Sequence, residues 1–556
     1  MSELEKQVPD SYYNDSEILA TIGYKPELKR NFSTVQVFGI AFSLMGLIPS
    51  IASTISFSLQ AGPYGMVWGW FTCSVCIMTV GLALAELGSS LPTSGGLYWW
   101  SYYFAPGKAK RPLSFLAGYS SFLGLTGGLM SIDYGFAQML VSMIIVATDG
   151  QWNPSAYVLY GIFAACVVSH ACVGSMGTRH MARLQTVCIY GNVAIALVLI
   201  IALPIGARNH LNSASYMFGQ IENTTDGWPT AWVFFLGWLA PSWTIGGFDS
   251  CVHMSEEASN ATKAVPFGII ASISVGWILG FVVVIVLVAV MPHDVKPLLE
   301  TVYQQPFAQL VYDTLGKKWT IGVMTAIFIL QWTMGLSSVT SASRQAWAFS
   351  RDGALQFSDF FKVVNQKYSN PIRCVWGSAL LALCIGCLCM INAAAAQALF
   401  SLAAGGTSLG WLIPISLKLL YGKNRFVPGP FYLGRFPSKL IGGFASVFLM
   451  FSLVLIQFPQ TTAHPTKDTM NYTCVIVAVY LDTNPMDIHQ TVAMWRLGFK
   501  EKSVRAKNYA SRHMREIRDT SEEHDAALGE AMSHLEAQEL RSLVNELWLS
   551  SPIVDD

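Results

Sequence analysis

Long apolar runs alternate with short polar segments along most of this chain. From residue 33 to residue 459 each run holds about twenty mainly apolar residues, the number that crosses a bilayer core of about 30 Å as a helix. The runs are continuous and do not alternate between apolar and polar positions, which favours helices over the strands of a membrane barrel. The pattern predicts about eleven spans, at residues 33–60, 66–87, 112–146, 155–174, 183–206, 229–252, 265–291, 319–346, 372–391, 396–420 and 438–459.

The composition indicates a membrane protein and disfavours several other classes. Of the 556 residues, 53% are hydrophobic and 12% are charged, whereas soluble domains carry roughly 25% charged residues. The formal net charge is +0, and nucleic-acid binding needs a basic face, so nucleic acid is not an expected partner. The 11 cysteines lie mostly inside apolar runs without metal-ligand spacing, and we expect neither a metal ion nor a cofactor.

The polar segments divide the chain and orient it in the membrane. Residues 1–32 form a predicted cytoplasmic tail, residues 33–475 form the predicted membrane domain, and residues 476–556 form a divergent polar tail. With the amino terminus in the cytoplasm, most lysine and arginine residues of the short loops fall on the cytoplasmic side. The sequence therefore predicts a multi-pass protein embedded in a lipid bilayer.

Two of the predicted spans contain residues that interrupt a helix. The first contains GLIPS at residues 46–50, and the sixth contains PSWTIGGFD at residues 241–249. Proline removes a backbone donor and paired glycines relax the backbone, so each span is expected to unwind there. The breaks stand five spans apart, at the start of successive groups of five, which is typical of inverted-repeat secondary transporters. A simple kink without a binding role is the alternative for either break taken alone.

A binding site between the two breaks would have a simple chemistry. Amides around Gly46, Ser50, Gly246 and Gly247 would lie at half-helix ends, where hydrogen bonds and the positive helix terminus hold a carboxylate. Unwound carbonyls and the ring face of Trp243 would receive an ammonium group. The expected ligand is a small zwitterionic amino acid or a related amine.

Two carboxylates are predicted at membrane depth, where ionisable residues are costly and usually functional. Asp133 lies inside the third span, and Asp249 lies at the break of the sixth. Each is a candidate for pairing with a substrate amine or for taking up a coupling proton. The alternatives are a structural bond to neighbouring helix ends for Asp133 and a helix cap for Asp249. His170 is interpreted as a packed histidine of the fourth span.

Several long motifs carry a family resemblance. The run AELGSSLPTSGGLY at residues 85–98 resembles a hallmark of the amino acid, polyamine and organocation superfamily. The motifs at residues 248–266 (FDSCVHMSEEASNATKAVP) and 343–355 (SRQAWAFSRDGAL) resemble its amino acid and choline transporter branch. The sequence of the first predicted span, at residues 33–54, is similar to that of the fungal 4-aminobutyrate permeases. The resemblance covers about residues 20–475.

The resemblance implies an all-α, polytopic membrane protein with a five-plus-five inverted-repeat transporter fold and about eleven to twelve transmembrane helices. It implies secondary active import of an amino acid, with 4-aminobutyrate as the expected substrate and protons as the expected coupling ion. The expected location is the plasma membrane, with the vacuolar membrane as the alternative. The predicted substrate-binding residues are Gly46, Ile48, Pro49, Ser50, Trp243, Thr244, Gly246, Gly247, Phe248 and Asp249.

Two departures from the family pattern affect these expectations. The fifth span has no lysine, where some proton-coupled relatives place one, so the resemblance does not assign the coupling residue. Family members complete a twelfth helix after NYT at residues 471–473, whereas this chain diverges at about Val479 into a charged tail. A misjoined reading frame or an unspliced intron would produce such a tail, with more effect on membrane delivery than on the preceding core.

Other functions compete with amino acid import. A polyamine or choline permease of the same fold would bind a ligand that has no carboxylate. A nutrient sensor that does not transport would signal through its long tail. A membrane-embedded enzyme is disfavoured, because the sequence contains no HExxH motif.

Overall fold

The computed structural model describes Tyr24, Glu27, Leu28, Arg30 and residues 32–466, apart from positions 177, 366, 392, 424 and 465. Within that part of the chain the regular structure is helical, with isolated bridges and no strand. The predicted tail at residues 476–556 lies outside it. The helices, in chain order, are α1 (Thr34–Met45), α2 (Leu47–Leu59), α3 (Gly62–Ser90), α4 (Gly96–Phe104), α5 (Lys110–Ala147), α6 (Ala156–Gly174), α7 (Thr178–Gly206), α8 (Ala214–Gly219), α9 (Thr230–Leu236), α10 (Leu239–Thr244), α11 (Ser250–His253), α12 (Ala261–Val290), α13 (Lys296–Leu299), α14 (Pro306–Leu315), α15 (Lys317–Arg351), α16 (Ser358–Phe361), α17 (Ile372–Gly386), α18 (Ala393–Tyr421) and α19 (Arg435–Leu455).

The helices follow the predicted spans closely. Among the described residues, ten helical segments are long and apolar enough to cross a membrane, and the interrupted sixth segment makes an eleventh. The second predicted span, residues 66–87, lies inside α3, and the eighth, residues 319–346, lies inside α15. The sixth differs most, because residues 229–252 form three short helices, α9 to α11. A twelfth span after residue 473 would fall outside the described part of the chain.

Glycine and proline both contribute to the two interruptions. Pro49 is the third residue of α2 and Pro241 is the third residue of α10, so each proline lies in the first turn of a half-helix. An amide in that turn has no partner within its own helix, so a missing amide is tolerated there. Each proline also leaves the carbonyl four residues earlier, that of Met45 or Gly237, without a helical amide, and the preceding helix ends there, as expected for a proline that interrupts a span. α1 ends at Gly46, whose φ of 46° is left-handed.

The first ten segments fall into two sets of five with matching features. Segments one and six are the interrupted ones, and the third segment of each set, α5 and α15, is the longest helix of its set. A short helix precedes each of them, α4 before α5 and α14 before α15. The interrupted halves pair crosswise, since α1 packs against α11 and α2 packs against α10. This pairing is that of an inverted repeat.

A close helix crossing joins the two sets. α5 packs against α18 with the backbones almost touching: a Cβ on Gly124 would lie 2.4 Å from Thr407 N, and a Cβ on Gly406 would lie 2.7 Å from Gly124 Cα. Small residues allow membrane helices to approach each other this closely. α5 also packs extensively against α15. It is therefore held between the helices that occupy the third and fifth places of the second set.

The described residues before α1 pack onto the membrane domain. Tyr24, Leu28 and Phe32 are buried, and Phe32 N donates a hydrogen bond to Glu257 O at 3.0 Å. The Tyr24 hydroxyl donates to Asp352, just after α15, at 2.6 Å. Part of the predicted amino-terminal tail is therefore attached to the membrane domain.

Candidate substrate site

The first interruption leaves two helix ends inside the protein. The hydrogen-bond ladder of α1 stops at Gly46 and starts again where Ser50 N donates to Gly46 O at 2.8 Å. The amides of Leu47 and Ile48 therefore begin α2 without a preceding turn, at a helix end of positive potential. The Ser50 hydroxyl is used within the break, since it donates to Met45 O.

The sixth segment unwinds more widely than the first. Residues 245–249, between α10 and α11, are not helical. Gly247 has a φ of 74°, and a Cβ there would lie 2.3 Å from Leu44 Cδ2 in α1. The amides of Gly247, Phe248 and Asp249 have no backbone partner in the described part of the chain. Unpaired amides of this kind are what an anionic group needs for binding.

A small cavity of about 60 Å³ lies between the two interrupted segments. The interrupted segments contribute Leu44, Ser242, Trp243, Gly246 and Gly247 to its wall. The rest of the wall comes from α5, α15 and α18 and consists of Gly124, Leu125, Gly128, Ile132, Met334, Ser338, Ala403, Ala404 and Thr407. The wall is thus mainly apolar with a few hydroxyls and free backbone groups, as in most sites for small ligands.

Known proteins are similar to this chain in sequence over most of its length. Residues 32–480 match the family model described as amino acid permease. The chain belongs to this family. The GABA-specific permease of Saccharomyces cerevisiae is 46% identical over 467 residues, which cover 83% of this chain and 82% of that protein. An uncharacterized amino-acid permease of Schizosaccharomyces pombe is 34% identical over 83% of each chain. Amino-acid permease BAT1 of Arabidopsis thaliana is 32% identical over 83% of this chain and 91% of that protein.

Membership of the family establishes the architecture and the substrate class of the permease. It is a multi-pass helical membrane protein of the five-plus-five inverted-repeat fold, and amino acids are its substrate class. The relatives are named as permeases, which are transporters and not enzymes. The cavity between the interruptions is therefore the candidate site for an amino acid.

The predicted site residues of the permease occupy two kinds of position. Trp243, Gly246 and Gly247 line the cavity. The others are buried in or beside the two interruptions without lining it: Gly46, Ile48, Pro49, Ser50, Thr244, Phe248 and Asp249. Reasoning from the sequence missed the wall of α5, α15 and α18. The glycines at 124 and 128 were the available signal, because small residues four positions apart mark close helix contacts.

Unpaired polar atoms collect at the sixth interruption. Thr244, Asp249 and Ser250 are fully buried, and their side-chain oxygens have no hydrogen-bond partner among the residues described. The Asp249 carboxylate lies 3.6 Å from His253 Nε2, which is longer than a hydrogen bond. Asp249 precedes α11 without making a capping hydrogen bond, so the structure does not support the capping alternative. Buried polar atoms without partners are costly, which favours a ligand-binding role for this cluster.

Asp133 lies behind the cavity wall and contacts a histidine of another helix. Its neighbour Ile132 lines the cavity, whereas Asp133 itself does not. His170 Nδ1 lies 3.1 Å from each oxygen of Asp133, and both side chains are fully buried. The sequence indicates a packed histidine at position 170, and the structure adds hydrogen bonds to Asp133 and to Trp332 O, the latter at 2.8 Å.

The family motifs hold a separate set of buried charges. Glu256 forms a bidentate ion pair with Arg351, at 2.8 and 2.9 Å, and Glu257 pairs with Arg344 at 2.9 Å. Glu256 also accepts a hydrogen bond from Ser94 N at 3.1 Å. Each of the three motifs supplies at least one of these residues, and none of the residues lines the cavity. The motifs therefore meet in a buried, paired cluster outside the cavity.

Proposed function

We propose that the permease imports 4-aminobutyrate, or a closely related amino acid, by proton-coupled secondary active transport with alternating access across the plasma membrane. The observation that carries this proposal is the cavity between two crosswise interrupted segments. Unwound backbone at membrane depth is tolerated only where it lines a polar cavity or is buried in protein, and transporters bind their substrates at such places. The Saccharomyces cerevisiae relative, whose name specifies GABA, supports the choice of substrate.

The two ends of 4-aminobutyrate find different partners in this cavity. The unpaired amide of Gly247 suits the carboxylate, because charge-assisted hydrogen bonds are the strong ones. The ring face of Trp243 and the hydroxyl of Ser242 suit the ammonium group. Leu44 and Met334 supply an apolar surface for the methylene chain between the two ends.

A second candidate function has one observation in its favour. The Asp249 carboxylate is buried without a hydrogen-bond partner in the described structure, and an ammonium group would satisfy it. A ligand that carries only positive charge, such as a polyamine or choline, would use this group and leave the amides unused. Unlabelled putrescine and choline are therefore the informative competitors against labelled 4-aminobutyrate.

Uptake of radiolabelled 4-aminobutyrate into permease-deficient yeast cells tests the proposal. We expect uptake that collapses when a protonophore removes the proton gradient. Gly246→Leu should abolish uptake, because Gly246 lines the cavity and a Cβ there already lies 3.1 Å from Trp243 O. Gly161→Leu in α6 is the matched control, because no atom of the described residues lies within 4 Å of an added Cβ there.

The outcomes separate the competing functions. Normal uptake by Gly246→Leu would show that the site is elsewhere. Stronger competition by putrescine or choline than by unlabelled 4-aminobutyrate would favour the second candidate. A wild-type protein that reaches the cell surface and takes up no labelled amino acid would favour a sensor.

A further inference from the structure

The pair formed by Asp133 and His170 lies among α5, α6 and α15, behind the wall of the substrate cavity. His170 donates or accepts with both ring nitrogens: Nδ1 faces the Asp133 carboxylate at 3.1 Å, and Nε2 faces Trp332 O at 2.8 Å. Cys166 of α6 is the other titratable side chain against the pair, with its sulfur 3.9 Å from both ring nitrogens. α15 contributes a carbonyl and Gly335 there, and no described lysine or arginine forms an ion pair with Asp133.

The hydrogen bonds fix how many protons this pair holds. A carbonyl oxygen only accepts, so Nε2 of His170 carries the hydrogen that it donates to Trp332 O. The contact between Nδ1 and Asp133 then needs one further proton, either on the carboxyl group or on the imidazole. The pair is electrically neutral in both forms. Without that proton, a buried carboxylate would face a nitrogen lone pair, which is unfavourable away from water.

One helix connects this pair to the first interruption. A Cβ on Gly335 of α15 would lie 2.3 Å from His170 Cε1 and 2.4 Å from Asp133 Oδ1, so α15 is packed directly against the pair. The adjacent residue, Met334, lines the substrate cavity, and its sulfur contacts the Ser50 hydroxyl oxygen at 3.7 Å. A displacement of α15 relative to its neighbours therefore changes the cavity and the surroundings of the pair together.

We propose that Asp133 and His170 form the proton-binding site that couples the proton gradient to substrate import. This inference rests on the proposed function, to which it adds the proton site that the sequence leaves unassigned. The described state holds one proton between the two side chains. When α15 moves, the pair separates, the surroundings become hydrated, and the proton passes to water on the cytoplasmic side. The pair thus binds a proton well in one state and poorly in the other, as coupling requires.

The full chain, reconstituted in liposomes with labelled 4-aminobutyrate as the probe, separates coupling from transport. One assay measures uptake driven by an inward proton gradient, with acidification followed by a trapped pH dye. The other measures exchange of external label for internal unlabelled substrate at equal pH on both sides. For Asp133→Asn we expect driven uptake to fall by at least about tenfold, within the range of coupling between linked sites, and acidification to be lost. Exchange should stay close to the wild-type rate, and His170→Gln should show the same division.

Two further variants make the test specific. Asp149→Asn makes the same chemical change just after α5, where Asp149 is 64% exposed and pairs with Lys317, and it should keep driven uptake, acidification and exchange. Gly335→Ala keeps both ionisable groups but pushes them apart, so it should lower driven uptake more than exchange.

The outcomes distinguish this inference from the proposed function. Wild-type accumulation and acidification by Asp133→Asn would overturn the coupling role of the pair. Loss of exchange together with driven uptake, in a variant that melts at the wild-type temperature, would overturn it as well, because the pair would then be needed for substrate passage. A wild-type protein that exchanges 4-aminobutyrate without acidification would leave the substrate in place and remove proton coupling. A wild-type protein that does neither would remove both proposals.

Discussion

Gly247 combines two constraints that act on a single residue. Its φ of 74° is left-handed, which costs an L side chain about 1–2 kcal/mol. The position of a side chain is also occupied, because a Cβ would lie 2.3 Å from Leu44 Cδ2. The first constraint concerns the backbone alone, whereas the second concerns the distance between the two interrupted segments. A substitution at Gly247 distinguishes the backbone constraint from the contact with Leu44 only when it is compared with a control glycine. That control must have a similar φ and free space around its Cβ.

Gly247→Ala should lose substrate uptake, whereas Gly353→Ala should keep it. Gly353 has a φ of 75°, so the backbone strain is matched, but within the described part of the chain an added Cβ has no neighbour inside 4 Å. The alanine side chain at 247 can be accommodated only if Leu44 and α1 move. Leu44 and Gly247 both line the cavity, so this movement changes its shape. Uptake per molecule at the cell surface, measured with epitope-tagged variants, checks this. Equal losses in the two variants would show that backbone strain, and not the contact with Leu44, is responsible.

Which polar side chains meet could not be predicted from the sequence. Asp133 was recognisable as a buried carboxylate, because it stands inside an apolar run, but its partner His170 lies 37 positions away on another helix. Apolar length shows that a residue is in the membrane, whereas the packing of helices decides what it faces. Hydroxyls give the same difficulty. Ser338 lines the cavity, while Thr340, two residues later, bonds back to Leu336 O at 2.8 Å.

Between elements, the crossing of α5 and α18 is a contact that tolerates little change, because backbone atoms meet there. Gly124→Ala should lower both thermal stability and uptake, because the atom in the way is the backbone nitrogen of Thr407, which cannot rotate aside. Overpacking of this kind costs typically about 1–3 kcal/mol. Gly322→Ala in α15 places its Cβ more than 4 Å from every residue that the structure describes. It should be neutral or slightly stabilising, since alanine favours helix over glycine by about 1 kcal/mol. Melting temperatures of the purified variants in detergent check the comparison, and an unchanged value for Gly124→Ala would contradict it.

The existence and position of most helices could be predicted, because the bilayer fixes how long an apolar run must be. The two interruptions were also predictable as pairs of Gly and Pro in corresponding spans. Their extent was not, since α1 and α2 are separated by one residue and α10 and α11 by five. Local composition shows that a helix is weak at some point. Only its contacts, such as that of Gly247 with Leu44, show where it unwinds.

For the molecule as a whole, the amino-terminal segment is attached where the two sets of helices meet. The hydroxyls of Tyr24 and Tyr98 both donate to Asp352, at 2.6 and 2.7 Å. Burial, and after it the negative charge of Asp352, raises the pKa of Tyr24 well above its usual value. The same two causes raise the pKa of Tyr98. Both hydroxyls therefore keep their hydrogens, and their bonds, throughout the neutral and mildly alkaline range.

Tyr24→Phe should lower the melting temperature by a constant amount below about pH 10, because a buried carboxylate oxygen loses a donor. Since the folded-state pKa of Tyr24 lies above the unfolded value, its contribution is complete below the unfolded pKa and is lost as the pH rises through the folded one. The difference between wild type and Tyr24→Phe should accordingly shrink above about pH 10. Tyr157→Phe, at a residue 77% exposed, is the control and should not change the melting temperature at neutral pH. A difference that grows with alkaline pH would contradict the sign of this argument.

Among the described residues, the side-chain oxygens of Thr244, Asp249 and Ser250 have no hydrogen-bond partner. This affects how the protein can be stabilised for preparation in quantity. Each buried oxygen without a partner lowers the free energy of unfolding, so we expect an apolar replacement such as Thr244→Val to raise the melting temperature. Laboratory selection that rewards only survival at high temperature, as in preparation for crystallography, would discard these side chains first. The selected variants would be thermally stable but would lack the polar groups that bind the ligand. Substrate binding should therefore be measured at every round of selection.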